Sequence, residues 1–483
     1  MQFGVIQQIL GLLLMVSSFS FLPPALVGLW YGDGAVAPFL DGFLIVLTIG
    51  VMFWFPARKK QKELRIRDGF VVVVMFWTVL GASGAVPFVL AEGLNMSVTN
   101  AVFESISGLT TTGGTVMTDI DGLPHSIQIY RQLLQWFGGM GIIVLAVAVL
   151  PMLGIGGMQL YKAETPGPMK DSKLTPRITE TAKALWYIYL GLTVICGMAY
   201  WLAGMGIFDA ISHAFSTVAI GGFSTHDESI GYFDSALIEM IAVVFMLLSG
   251  VNFALHFVAV RRLSIKPYLA DTEFKLYLSI LAFVATLTTL GLYWGNNIND
   301  WGEAFFKGVF QAVSIGTTTG FTTGEYYAWA GFVPILLLLT SFIGGCAGST
   351  GGGMKVIRFL LLFKQGVREI TRLIHPNAQI PVRVGGKTIP PRVIDAVWGF
   401  FALYVACFTV MYLFIASTGV DLVTAFSAVA ACINNLGPGL GDVGATYVNL
   451  NDPAKWVLCF AMLLGRLEIF TLFVLFTPTF WRR

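Results

Sequence analysis

Long apolar runs separated by short polar stretches dominate the chain. A helix needs about 20 mostly apolar residues to cross the hydrocarbon core of a bilayer. Runs near that length lie at residues 3–30, 38–56, 70–91, 132–153, 184–205, 236–260, 276–295, 332–362, 394–417 and 455–477. Four shorter runs, at 98–110, 208–220, 304–317 and 422–434, have roughly half the length required. The pattern predicts ten membrane-crossing helices and four re-entrant half-helices.

Lysine and arginine are retained on the cytoplasmic side of a membrane, so their placement tests this reading. The first basic cluster is Arg58, Lys59, Lys60, Lys62, Arg65 and Arg67, and the second is Lys162, Lys170, Lys173, Arg177 and Lys183. Arg261, Arg262, Lys266 and Lys275 follow, then Lys355, Arg358, Lys364, Arg368 and Arg372, with Arg383, Lys387 and Arg392 in the same loop. Together with Arg482 and Arg483 these are 25 of the 29 basic residues. Ten spans with both termini in the cytoplasm place all of them on one face or at its edge. The other face keeps Arg131, Lys307 and Lys455, and Arg466 falls inside the last span. Full crossings by the four short runs would scatter the clusters to both sides.

Each half-helix is followed by a polar stretch containing glycine. The four read Ser107-Gly-Leu-Thr-Thr-Thr-Gly113-Gly, Ser216-Thr-Val-Ala-Ile-Gly-Gly222-Phe, Ser314-Ile-Gly-Thr-Thr-Thr-Gly320-Phe and Ala431-Cys-Ile-Asn-Asn-Leu-Gly437-Pro. Serine, or Ala431 in the fourth, stands six residues before the aligned glycine, and Phe103 and Phe310 stand ten before theirs. The repeated unit is span, half-helix, loop, span. It divides the chain into two extra spans at 1–57 and pore repeats at 58–160, 161–265, 266–375 and 376–483.

Non-helical backbone at membrane depth persists only where it lines a watery cavity or is buried in protein. Four such loops on one axis bring together carbonyl oxygens that can replace a cation's hydration shell. Glycine permits the backbone angles that turn successive carbonyls one way. Each half-helix aims its partially negative C-terminus at that axis, which favours a cation. Close helix packing through small residues is the alternative reading of one such loop; four copies in the same setting favour the pore.

Composition narrows the class further. Hydrophobic residues make up 56% of the 483 and charged residues 12%. A soluble domain carries about 25% charged residues, so lipid must cover part of this surface. The net charge of +2 gives no ground for nucleic-acid binding. Five cysteines scattered through apolar stretches read as small hydrophobes, with no disulfide framework or metal spacing. Met1 to Gln8 carry no basic residue, so the first run is predicted to be a retained span rather than a cleaved signal. No nucleotide-binding fingerprint is present, since Gly351-Gly-Gly-Met lacks the G-x-x-x-x-G-K-[ST] pattern. The five histidines (His125, His213, His226, His256 and His375) read as satisfied or solvated.

These loops, with Gln135-Trp-Phe-Gly-Gly-Met-Gly-Ile-Ile143, Ile343-Gly-Gly-Cys-Ala-Gly-Ser-Thr-Gly-Gly-Gly353 and Asn434-Asn-Leu-Gly-Pro-Gly-Leu-Gly441, resemble the Trk/Ktr/HKT superfamily of potassium and sodium translocators. The resemblance runs nearly end to end and is strongest to its bacterial TrkH branch, which also has two additional N-terminal spans. It implies an all-α membrane protein with four pseudo-repeated units around a central pore. The implied selectivity filter comprises the backbone of Thr111, Thr112 and Gly113; Ile220, Gly221 and Gly222; Thr318, Thr319 and Gly320; and Asn435, Leu436 and Gly437. Relatives that favour sodium often carry serine at the first filter glycine, so Gly113 implies potassium as the substrate. The departure of the fourth loop, Asn434-Asn435, predicts a looser filter with some sodium leakage.

The eighth run is interrupted by Gly344, Gly345, Gly348, Gly351, Gly352 and Gly353. Glycine costs about 1 kcal/mol per helical position relative to alanine, so this span is predicted to break. The resemblance makes the broken middle the gate. It also places Arg466 in the pore beneath the filter, as an electrostatic barrier; pairing with Glu468 is the alternative. Residues two apart on a helix do not face one another, which disfavours that pair. The resemblance further implies a homodimer in the bacterial inner membrane. A cytosolic ring of nucleotide-binding, Rossmann-type regulatory subunits would dock near 155–183, 261–275 and 363–393. No cofactor is expected on this chain itself. A secondary transporter coupling potassium to protons or sodium is the competing function, but it calls for mid-membrane carboxylates that are scarce here. No nucleophile–base pair or metal cluster supports an enzyme.

Overall fold

The computed structural model describes residues 1–58, 66–144, 178–295, 298–467 and 469–482. Among these, six helices are long and apolar enough to cross a membrane, and eight if each of two bent pairs is one span. Of the other two predicted spans, 132–153 corresponds to the helix His125–Val144 and residues beyond those described. The other, 332–362, is divided into Val333–Ser341 and Val356–Ile374. Lys59, Lys60, Lys62, Arg65, Lys162, Lys170, Lys173, Arg177, Glu468 and Arg483 lie outside the described residues, as does most of the predicted docking loop 155–183.

The half-helices form at Val98–Leu109, Ile207–Ala219, Trp301–Gly316 and Leu422–Ile433. A helix of 12 residues is about 18 Å long, little more than half the hydrocarbon thickness. Side-chain caps start three of them: Ser97 accepts from the Asn100 amide, Asp300 from Glu303, and Asp421 from Val423 and Thr424. Such caps satisfy backbone donors that have no partner within the helix. Phe103 and Phe310, at matching positions, are fully buried. The protein packs around these half-helices, with long helices outside that expose apolar side chains such as Trp30, Leu202 and Phe283.

Two features add detail to the prediction. The continuous run 236–260 is not one straight helix: Ala236–Ser249 and Phe253–Arg262 meet at 96°. Asn252 caps the second piece by accepting from the Ala254 amide, which is why the helix restarts there. Among the described residues the fold is all-α apart from one short hairpin. Arg383–Val384 pairs antiparallel with Lys387–Thr388, and Gly385 and Gly386 make the tight turn at φ +55° and +78°. Val382, Val384 and Ile389 pack this hairpin against Ile357, Leu361 and Ile394.

Candidate functional site

The loops after the half-helices share one backbone geometry. Thr111, Ile220, Thr318 and Asn435 have φ of +56°, +55°, +69° and +54°, and two residues later Gly113, Gly222, Gly320 and Gly437 have φ of +80°, +80°, +88° and +93°. Among the described residues, Thr111, Ile220 and Thr318 are the only β-branched ones with positive φ. Each such conformation costs about 1–3 kcal/mol and persists only where surrounding contacts enforce it. One enforcing contact recurs: the amides of Thr112, Gly221, Thr319 and Leu436 donate to the carbonyls of Ser107, Ser216, Ser314 and Ala431 at 2.8–2.9 Å. The acceptor is backbone, so Ala431 serves as well as serine.

The loops close on one another in a ring. A Cβ at Gly113 would lie 2.1 Å from the Gly221 carbonyl oxygen, and one at Gly222 2.1 Å from that of Thr319. One at Gly320 would lie 2.2 Å from the Leu436 oxygen, and one at Gly437 2.6 Å from the Thr112 oxygen, which completes the cycle. Each aligned residue must therefore be glycine both for its φ and for the neighbouring loop's carbonyl. Hydroxyl pairs brace the first and third loops, Thr110 with Thr112 and Thr317 with Thr319, each at 2.8 Å. The fourth is held instead by Tyr447, whose hydroxyl donates to the Gly437 carbonyl at 2.6 Å, and by Asn435, whose amide donates to Thr112 Oγ1 at 3.0 Å. A vestibule of about 580 Å³ opens on the far side from the basic segments, here called outer, and reaches Gly113, Gly222, Gly320 and Pro438.

The interrupted segment 342–355 lies directly against the other side of the ring. The Gly352 amide donates to Thr318 Oγ1 at 2.7 Å, and the Gly353 amide to the Asn434 carbonyl at 3.0 Å. A Cβ at Gly352 would sit 1.9 Å from the Asn434 oxygen, and one at Gly351 2.9 Å from that of Thr317. Only bare backbone reaches so close. The bend of the sixth predicted span supports the segment from the side: Cys346 donates to the Gly250 carbonyl at 2.9 Å and Phe253 to that of Gly348 at 3.0 Å. Thr350 Oγ1 donates to the carbonyls of Val218 and Ser249.

Arg466 lies beside this segment. Its guanidinium donates to the Thr350 carbonyl at 3.1 Å and the Gly138 carbonyl at 2.6 Å, and stands 5.3 Å from the Trp77 ring centroid. It shares a small cavity of about 40 Å³ with Lys355 and Arg358. The sequence reading grouped those two residues with the cytoplasmic basic cluster, on that face or at its edge. Both are buried, Lys355 donating to the Gly351 carbonyl and Arg358 to that of Met354. Their place directly after the glycine run was the available signal.

A second charged feature went unread. Arg131 donates from Nε to Glu104 at 2.8 Å, and both are fully buried behind the first two loops. Arg131 also donates to the Ser224 carbonyl and to Thr115 Oγ1, and lies 4.3 Å from the Phe223 ring centroid. Glu104 accepts from the Val116 amide. The pair thus fixes the residues following two filter loops. Glutamate as the one charged residue of this half-helix was the available signal. His213 and His256 are satisfied internally: Nδ1 of His213 faces the Asp209 carbonyl and Nε2 faces Ser224 Oγ, while His256 contacts the Tyr268 hydroxyl and the Leu248 carbonyl. Among the described residues no cluster of histidine, cysteine, aspartate or glutamate could hold a metal ion.

Re-entrant half-helices feeding a closed ring of strained loops, within a cage of apolar helices, define a polytopic membrane transport protein rather than an enzyme. The match to the family described as "TrkH: Cation transport protein" covers residues 36–483, and the chain belongs to that family. It is 58% identical over 484 residues to the Trk system potassium uptake protein TrkH of Vibrio parahaemolyticus, and 55% identical over 482 to that of Escherichia coli K12, with both chains of each pair fully covered. TrkG of Escherichia coli K12, also named a Trk system potassium uptake protein, is 45% identical over 479 residues. The crystal structure of the potassium transporter TrkH from Vibrio parahaemolyticus matches with a TM-score of 0.91 at 56% identity, covering the whole of both chains.

Proposed function

We propose that this protein carries potassium ions across the bacterial inner membrane through a gated, channel-like pore. The observation that carries the reading is the ring of four loops whose glycines each abut the next loop's carbonyl. Alternation of φ sign at Thr111 and Gly113, with a negative value between them, turns successive carbonyls to one side. Potassium is then the substrate, dehydrated by carbonyls of Thr111, Thr112 and Gly113 and their counterparts 220–222, 318–320 and 435–437. The relatives' shared name as potassium uptake proteins supports potassium over other cations.

The segment containing Gly344, Gly345, Gly348, Gly351, Gly352 and Gly353 is the gate in this reading, because it stands across the inner side of the ring. Arg466, hydrogen-bonded to that segment, adds positive charge where a cation would leave. Both termini lie in the cytoplasm, following the basic residues, and the four units run 58–160, 161–265, 266–375 and 376–483. The name "Trk system" of the relatives accords with partners: a second copy of this chain, and a cytosolic ring of Rossmann-type nucleotide-binding subunits on the inner loops. Coupling to protons or sodium is the second reading. Glu104, a fully buried carboxylate behind the filter loops, is engaged by Arg131 rather than free to cycle a proton, which favours the uncoupled pore.

Flux into liposomes under imposed potassium and sodium gradients, with and without a pH gradient, tests this. Downhill potassium-selective flux without protons, increased by deletion of residues 351–353, is expected. Flux that requires a proton gradient would establish the coupled transporter instead.

A further inference from the structure

The second filter loop lacks what braces its neighbours. The first and third loops place threonine before the aligned glycine, and Thr112 and Thr319 pair with Thr110 and Thr317. The second has Gly221 and Ala219 at those positions. Yet Gly221 lies outside the left-handed region, unlike Gly222, so its backbone does not require glycine. What excludes a side chain is Gln135: a Cβ at Gly221 would stand 2.4 Å from the Gln135 carboxamide carbon.

Gln135 is fully buried and comes from His125–Val144, a helix of the first repeat. Its Oε1 accepts from Ser216 Oγ at 2.6 Å and from the Phe223 amide at 3.1 Å, while its Nε2 donates to the Gly221 carbonyl at 2.5 Å. The amide's orientation is fixed, because the Phe223 N–H can only donate and the Gly221 carbonyl can only accept. The helix is itself pinned: a Cβ at Gly138 would lie 1.9 Å from the Leu109 oxygen, and one at Gly139 3.0 Å from Ala219. Among the described residues, Gly221 is the only one of the four middle residues whose carbonyl accepts a side-chain hydrogen bond. That same oxygen abuts Gly113 of the first loop, so its position sets the spacing between two of the four loops.

We propose that Gln135 is a positioning residue for ion selectivity: its carboxamide fixes the Gly221 carbonyl and stands in for the threonine that the second loop lacks. This rests on the filter reading above. The glutamine and the glycine form a matched pair, each the reason for the other. Removing the carboxamide frees the carbonyl, and adding a threonine at 221 displaces the carboxamide. Making both changes does not restore the arrangement of the first and third loops, because Ala219 offers no partner hydroxyl.

The test is the potassium-to-sodium permeability ratio of the full chain in liposomes, measured for Gln135→Ala, Gly221→Thr and, as reference, Gly113→Ser. Loss of one such hydrogen bond is worth roughly five- to ten-fold. Gln135→Ala and Gly221→Thr are each expected to lower the ratio by about that factor. A wild-type ratio in Gln135→Ala alongside a shifted ratio in Gly113→Ser overturns the proposal and leaves the filter standing. An unshifted ratio in Gly113→Ser overturns the filter reading, and the proposal with it. Should the alanine variant fail to fold, Gln135→Glu decides. Its protonated carboxyl can still donate to Gly221, so the ratio rises toward wild type as pH falls; a lowered ratio that does not rise as pH falls contradicts the idea.

Discussion

The Gly352 amide donates to the hydroxyl of Thr318 at 2.7 Å, so the glycine segment hangs from a strained residue of the third filter loop. Filter and candidate gate are thereby in direct contact, with no intervening layer. A neutral hydrogen bond contributes about 1 kcal/mol net, enough to shift a closed–open balance several-fold.

Thr318→Val keeps the β-branched shape and removes the acceptor. We expect basal rubidium uptake into liposomes to rise roughly five-fold, with Thr318→Ser close to wild type, since about 1 kcal/mol is lost from the closed state alone. Unchanged uptake in the valine variant would show that this contact does not hold the segment in place.

Arg466 makes two charge-assisted hydrogen bonds, to Thr350 and Gly138. Bonds to charged groups are worth about 1.5–3 kcal/mol. Arg466→Gln removes the charge beside the exit path and weakens the tie to the segment, so cation flux should increase by an order of magnitude or more. Arg466→Lys, which keeps the charge but loses the fork, should fall between the two. The two fluxes are read by the same uptake assay.

Breaking a buried ion pair leaves one charge uncompensated and costs about 3–5 kcal/mol. Glu104→Ala should therefore lower the thermal unfolding temperature in detergent strongly, because Arg131 stays buried among Ser224, Thr115 and Phe223. Glu104→Gln with Arg131→Met should be less damaging than Glu104→Ala alone. Equal damage in both would mean that packing, not charge, dominates there.

At the outer face His226 joins two loops, contacting Asp121 through Nδ1 and lying 3.5 Å from Asp209 through Nε2. Burial pulls its pKa down, but the hydrogen bonds and charges of Asp209 and Asp121 outweigh burial and raise it above its ordinary 6.5. Burial likewise raises Asp121, yet the bond from His226 and the Asp227 amide bring it below 3.8. The histidine's contribution is full below 6.5 and is lost as pH rises through its raised pKa; the aspartate's is full above 3.8 and is lost as pH falls through its lowered one. The clasp is accordingly tightest between those values. Hydrogen-exchange protection of residues 119–123, measured relative to the intrinsic exchange rate at each pH, should rise on acidification from pH 9 to 6, and His226→Asn should abolish that rise.

Much of this architecture was legible because it is written in local patterns. The run 98–110 became Val98–Leu109 and 422–434 became Leu422–Ile433, since the length of an apolar stretch decides whether it can span. Gly113 and its counterparts were visible because positive φ selects glycine. The glycine run foretold the break at 342–355, where helix propensity collapses. The bend at 250–252 was hidden, because residues on both sides are apolar and its cause is a contact with residues 346–348, far along the chain. Gln135, Glu104 with Arg131, and Lys355 were missed for the same reason. The Glu104–Arg131 pair spans 27 residues and Gln135 reaches partners up to 88 away, whereas the neighbourhood of Lys355 depends on the loop's fold.

Anomalous diffraction from crystals grown with thallium in place of potassium tests the central claim most directly. The account predicts peaks on the axis enclosed by Thr112, Gly221, Thr319 and Leu436, which weaken as sodium replaces thallium only at high excess. Peaks confined to carboxylates in the outer vestibule, with none on that axis, would contradict it.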